Sequence, residues 1–220
     1  MHRIILNIHG IGEPGRTLEA GENVYWITPE FFATVIDLVK ASGQNVAFTF
    51  DDGNMSDLEI GGPLLAEVGI QADFFVLAGR IGEAGSLGAA EIRELQTAGH
   101  RIGTHGWAHV DWTKQNEAGL KRELEEARSR LEDICGNPVT TAGIPFGRYN
   151  AAVLRALRKR GYTQTYSSDG GPVRGAPFPI PRLSLRADMS KAGLEAVLAG
   201  RDPMRKRIRR AITSRLKKVL

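Results

Sequence analysis

The sequence holds a single cysteine, Cys135, so no internal disulfide can form and the fold must rest on a packed core. That usage fits a reducing compartment. Long apolar runs are also missing. The stretch Met1 to Gly10 is too short in apolar residues for a signal peptide, and no later run approaches the ~20 residues that a bilayer-crossing helix needs. The expectation is a soluble, cytoplasmic chain, with at most peripheral contact at an inner membrane face. Acidic residues are absent from Pro203 to Leu220, which holds eight of the 29 lysines and arginines. Taking those eight from the net charge of +4 leaves −4, so the basic character belongs to the tail. The body lacks basic patches interleaved with aromatics, and no nucleic-acid partner is expected. Nor is there a repeat or low-complexity segment. With 42% hydrophobic residues in 220, one sizeable core can close. The reading is a single domain over 1–200 followed by a basic amphipathic helix over 201–220.

What the chain has in quantity is short apolar strands alternating with amphipathic helices. Strands are predicted at Arg3 to Ile8, Val46 to Gly53, Ala72 to Leu77, Arg101 to Thr104, Val139 to Ile144, Tyr162 to Ser167 and Ile180 to Leu185. Thr28-Pro29-Glu30 gives a cap, a first-turn proline and a first-turn acid to a helix ending at Gly43. Leu120, Leu124, Ala127, Leu131 and Ile134 mark a long helix from an Asn116 cap to Gly136. Ile11 to Ile27 has no period and reads as loop. About seven strands with crossover helices make a parallel sheet, either a barrel or an open doubly wound sheet. Both gather chemistry at the C-terminal strand ends.

The second strand, Val46-Ala47-Phe48-Thr49-Phe50-Asp51-Asp52-Gly53, stops on two adjacent acids. Alternating side chains would point the two apart unless the chain bends, and Gly53 permits a bend. One acid can then ligate a cation while the other takes a proton from water. The plainer alternative is turn chemistry after a strand. His105 and His109 follow the fourth strand with the i, i+4 spacing that puts two imidazoles on one face of a helical turn. Together with Asp52 they form a two-His, one-carboxylate set, suited to zinc first and to cobalt, nickel or iron next. His9 ends the first strand and Asp169 the sixth, and both are further candidates.

Thr49-Phe50-Asp51-Asp52-Gly53, then His105-x-x-x-His109, then Pro145-Phe146-Gly147 resemble the motifs of the NodB-like polysaccharide deacetylases, carbohydrate esterase family four. The likeness spans roughly Ile4 to Leu185. It implies a distorted parallel (β/α) barrel and a metal-dependent hydrolase acting on N-acetylated carbohydrate. On that likeness Asp51 is the general base, Asp52, His105 and His109 bind the divalent metal ion, and the backbone N–H of Phe146 meets the oxyanion.

Three departures stand out. Gly106 replaces a hydroxyl residue after the first histidine. Gly143 stands where the family usually has an arginine that orients the base. All five histidines lie at or before His109, so the usual C-terminal Leu-x-His is missing. Either another group, with His9 as one candidate, protonates the leaving amine, or turnover is slow, or the site is vestigial and the chain binds carbohydrate without cleaving it. In the tail, Met204, Ile208, Ala211, Ile212, Leu216 and Leu220 form an apolar stripe beside many basic residues. That pattern suits either contact with an anionic membrane or docking of the stripe on the barrel.

Overall fold

The structure, a computed structural model, describes residues 3–201, 213–214 and 216–218. Its centre is a parallel sheet built from β1 (Arg3–Ile8), β4 (Asn45–Asp52), β5 (Ala72–Val76), β6 (Arg101–Thr104), β7 (Thr141–Gly143) and β8 (Gln164–Ser167), paired in that order. Two short segments complete it. β9 (Ile180–Pro181) pairs with β8 and β10 (Leu183–Ser184) pairs with β1, so one extended stretch closes the ring and changes partner at Arg182. The eight segments therefore occupy seven positions around a distorted (β/α) barrel.

Strand alternation sorts the side chains. On β1 and β4 the residues Ile4, Leu6, Ile8, Phe48 and Phe50 face outward into the main apolar core, beneath Phe32, Val35, Ile36 and Val39 of the Pro29–Ser42 helix. Phe32 meets Phe48 and Phe50 edge-on, and Phe50 stacks on Phe74. The helix begins where Thr28 accepts a hydrogen bond from Phe31 N–H, with proline in its first turn, and it ends on Gly43 at φ 61°. Inside the barrel, Ile5, Phe75 and Tyr166 form a small apolar cluster. Asn7, Thr49 and Asp51 are also buried, in register above it.

Two features differ from the sequence reading. Within Ile11 to Ile27, expected as loop, β2 (Gly10–Ile11) pairs with β3 (Trp26–Ile27) around a 3-10 turn at Glu22–Tyr25. Gly10 is needed there, because a Cβ would fall 2.4 Å from the Trp26 ring. The helix from Glu117 to Cys135 is continuous as expected but contains a π turn at Arg122–Glu126. A second π turn lies at Asp57–Gly61. Each buries one acid, Glu123 and Asp57, off the regular helical stripe. Of the expected C-terminal helix, Met204, Ile208, Ala211, Ile212 and Leu220 lie outside the described residues. The described residues 213–214 and 216–218 are helical.

Candidate active site

Asp51 and Asp52 end β4 on the same cavity. The bend that allows this starts one residue earlier than the glycine: Asp52 itself has φ 78°, followed by Gly53 at 72°. Aspartate enters the left-handed region more readily than most residues, and the close packing of Gly53 on Val76 leaves no room for a side chain there. His105 follows directly from β6, and His109 closes a short loop. The two histidines are not on a helical turn as their spacing suggested. Gly106 at φ 90° and His109 at φ 52° fold residues 105–109 into an irregular loop that brings the rings within 5.4 Å.

The Nε2 atoms of His105 and His109 lie 3.6 and 3.8 Å from Asp52 Oδ1. One ligand atom from each of the three residues falls within 4.8 Å of the others. Asp52 Oδ1 is buried and has no hydrogen-bond partner among the described residues. An orphaned carboxylate oxygen facing two imidazole nitrogens is the donor set of a divalent transition metal, so the residues present fit the expected ion. Both rings are held by their other nitrogen, His105 Nδ1 against Gly143 O at 2.9 Å and His109 Nδ1 against Glu19 Oε2 at 3.0 Å. Burial holds His105 below its ordinary pKa, against the raising influence of Asp51 and Asp52.

Asp51 stands beside this cluster and is gripped from the opposite wall. Arg182, with 0% of its surface exposed, donates to Oδ1 at 2.7 Å and to Oδ2 at 2.8 Å, the bidentate fork of a guanidinium on a carboxylate. Asn7 Nδ2 donates to Oδ2 at 2.9 Å, while Asn7 Oδ1 accepts from Arg182 and from Thr49. Burial pushes the Asp51 carboxyl up, but Arg182, then His105 and His9, outweigh it and hold the group well below the usual carboxylate range. Arg182, from the stretch that closes the barrel, thus holds the carboxylate that an arginine at position 143 was expected to orient. A side chain at position 143 would be crowded. A Cβ on Gly143 would lie 3.0 Å from His105 Nδ1 and 3.1 Å from Asp51 Oδ1.

Gly106 has a similar account. A Cβ there would fall 2.3 Å from Glu123 Oε2, and Glu123 accepts from Trp107 N–H, Ala108 N–H and Trp112 Nε1–H. The buried acid of the π turn braces the histidine loop from below. Arg182, Glu123 and Glu19 escaped the sequence reading. An arginine amid Ile180, Leu183 and Leu185 was a legible signal, because a charge in a buried strand needs a partner. Nothing in the helical pattern marked Glu123.

Phe146 sits at φ 57° with 48% of its surface exposed, its ring 4.3 Å from that of His109. The next two amides are committed, Gly147 N–H to Ile144 O and Arg148 N–H to Pro145 O. His9 lines the same cavity, with Nε2 3.9 Å from Asp51 Oδ2 and its ring 4.8 Å from Tyr25. Asp169 is turned to other work, accepting from Tyr149 and Ser167 and pairing with Lys217. The cavity, about 280 Å³, is walled by His9, Asp51, His105 and Phe146 on the barrel side and by residues 19–22 and Tyr25 from the loop.

A closed parallel barrel with an aspartate, two histidines and a second, arginine-held aspartate at its C-terminal strand ends defines the class. Residues 39–165 match the model of the polysaccharide deacetylase family, and the chain belongs to that family. It is 29% identical over 175 residues to a chitin deacetylase of Arthroderma benhamiae, covering 75% of this chain and 44% of that one. It is 30% identical over 117 residues to the peptidoglycan-N-acetylglucosamine deacetylase PgdA of Listeria monocytogenes, covering 53% and 24%. The chain thus spans less than half the length of these relatives. Among solved structures, the Streptococcus pyogenes deacetylase PplD in complex with acetate superposes with a TM-score of 0.78 at 19% identity, covering 92% of this chain and 99% of that one. IcaB from Ammonifex degensii gives 0.76 at 18%, covering 90% and 97%. At these identities the likeness is one of fold.

Proposed function

We infer that the chain is a metal-dependent hydrolase that removes an N-acyl group, acetyl in the first instance, from an amino sugar of a polysaccharide, oligosaccharide or lipid-linked sugar. The observation that carries this reading is the division of labour between the two acids. Asp52 faces the imidazoles with an unpartnered oxygen, while Asp51 is kept charged and oriented by Arg182 and Asn7 without joining the cluster. A carbohydrate-binding module without turnover has no need of a base so elaborately held.

A divalent cation on Asp52, His105 and His109, zinc by preference, would supply Lewis acidity toward the water and the acyl oxygen. Asp51 then accepts the proton of the attacking water, its geometry fixed by the guanidinium fork. The carbonyl carbon becomes tetrahedral, and its oxyanion is met by Phe146 N–H, whose two following amides are already used within the turn. Collapse breaks the C–N bond, and the nitrogen leaves with a proton donated by His9, the cavity histidine outside the metal set. The water's proton on Asp51 then passes to His9, whose Nε2 is 3.9 Å from Asp51 Oδ2, and resets both groups. Tyr25 and the exposed Phe146 ring offer apolar faces to the sugar.

The test separates ligand from base. Elemental analysis should find one zinc-type ion per chain in wild type and none in the His105→Ala, His109→Ala double variant. Asp51→Asn should keep the ion and lose hydrolysis by about 10²- to 10⁴-fold. Equal metal in wild type and the double variant would remove the metal assignment. Sugar binding without turnover in metal-loaded wild type would favour a binding module.

A further inference from the structure

His105 and His109 are oriented by different means. His105 leans on a backbone carbonyl of the barrel itself, Gly143 O. His109 leans on the carboxylate of Glu19, 90 residues away in sequence and on the crest of the 12–25 loop. A carboxylate only accepts, so this contact places the proton on His109 Nδ1 and leaves the Nε2 lone pair toward Asp52. Glu19 is 42% exposed, and it takes part in a continuous set of contacts. Its other oxygen pairs with Arg80. Its N–H donates to Glu22 Oε2, and Glu22 pairs with Arg16. Arg16 Nε in turn donates to Asn54 Oδ1, two residues past Asp52. The loop is thus anchored beside one metal ligand at Asn54 and beside another at His109. Gly15 and Gly85 press together so closely that a Cβ on Gly85 would lie 2.5 Å from Gly15 carbon, so between those anchors the loop packs on the turn at residues 81–87.

We propose that Glu19 is a positioning residue that makes the metal site conditional on closure of the 12–25 loop, and that the bound ion in turn holds that loop closed over the sugar cavity. This rests on the metal assignment above. With the loop lifted, His109, whose own backbone sits at φ 52°, loses the partner that sets its ring and tautomer. With the loop down, residues 19–22 and Tyr25 complete the cavity wall. Linkage makes the effect reciprocal: whatever factor closure adds to metal affinity, metal adds to closure.

The experiment compares wild type, Glu19→Ala and Glu19→Gln as full chains. Zinc affinity is measured by competition with a chromophoric chelator, and loop closure by hydrogen exchange of the amides of residues 12–25 with and without zinc. Apo melting curves check that each variant folds. Zinc binding should weaken about 10- to 100-fold in Glu19→Ala, the range for losing the partner of a ligating histidine, and recover in part in Glu19→Gln, whose amide oxygen can still accept from Nδ1–H. Zinc should slow exchange in the wild-type loop and leave the Glu19→Ala loop unchanged. Should wild type bind no zinc, the metal assignment itself fails. If wild type binds zinc and Glu19→Ala binds it equally tightly, the positioning role is overturned while the metal site stands. Weakened binding in Glu19→Ala with the same zinc-induced protection of its loop overturns the coupling.

Discussion

Arg182 shows how much rests on single residues here. It lies over the paired rings of Phe75 and Tyr166, 5.3 and 5.7 Å from their centres, and gives both ends of its fork to Asp51. Arg182→Met leaves a buried carboxylate without its counter-charge, and breaking one side of such a pair costs about 3–5 kcal/mol. Denaturant unfolding should show a loss of that order, and Arg182→Met combined with Asp51→Asn should recover part of it, because the uncompensated charge is gone. A double variant no more stable than Arg182→Met would contradict the account. Asp57 is the opposite case. Burial first, then Asp52 and Asp51, push its carboxyl well above the ordinary range, and neither oxygen has a hydrogen-bond partner among the described residues. The folded state therefore binds a proton that the unfolded state has released above pH ~4, and stability falls as pH rises from there through the folded pKa. Asp57→Asn should flatten that fall in metal-free melting curves. Parallel curves for the two proteins would show that Asp57 is not its source. The motif residues Asp51, Asp52, His105 and His109 were legible because strand ends and spacing announce them. Glu19 and Glu123 were not, since each reaches its partner across the fold rather than along the chain, and at Arg182 the sequence shows a charge in an apolar stretch but not its partner Asp51.

At the scale of elements, the helices were the most readable parts. The Pro29–Ser42 helix begins and ends where Thr28 and Gly43 said, because Thr28 satisfies a first-turn amide and Gly43 takes the left-handed conformation that stops it. The irregular elements were hidden. A π turn breaks the 3.6-residue stripe for one turn only, and the loop over the site takes its shape from Arg16, Glu19 and Glu22 instead of from any local pattern. The tail shows a related effect. Its described part meets the barrel through polar groups, Lys217 with Asp169 and Gly147 O and Ser214 with Tyr149, while Leu216 is 55% exposed. At Leu216, then, the apolar stripe faces away from the barrel. The expectation that residues 203–220 lie on an anionic membrane predicts salt-sensitive co-sedimentation with anionic vesicles, at about 1 kcal/mol per engaged basic residue. A version ending at Gly200 should lose it, and neutral vesicles should bind neither. Equal sedimentation of both versions, or none of either, would end the membrane role.

For the whole molecule, the barrel explains why the site could be read in part from one strand. Parallel strands bring every C-terminal end to one rim, so Asp51, Asp52, His105, Phe146 and His9 converge although 137 residues of sequence separate the first of them from the last. The choice between barrel and open sheet was not decided by the strand pattern. It depends on the stretch from Ile180 to Ser184 bridging β8 and β1, and Arg182 sits at that bridge. Closure of the fold and orientation of Asp51 therefore both involve the same five residues.

The central claim is hydrolysis of an N-acyl amino sugar by a metal-loaded site in which Asp51 is the base. Acetate and formate release, measured from a panel of N-acylated sugars both free and lipid-linked, tests it most directly when zinc-loaded wild type and zinc-loaded Asp51→Asn are run side by side. The account predicts acid release from at least one sugar by wild type, reduced by about 10²-fold or more in Asp51→Asn at equal metal content. No release by zinc-loaded wild type from any sugar, or equal release by the two proteins, would contradict it.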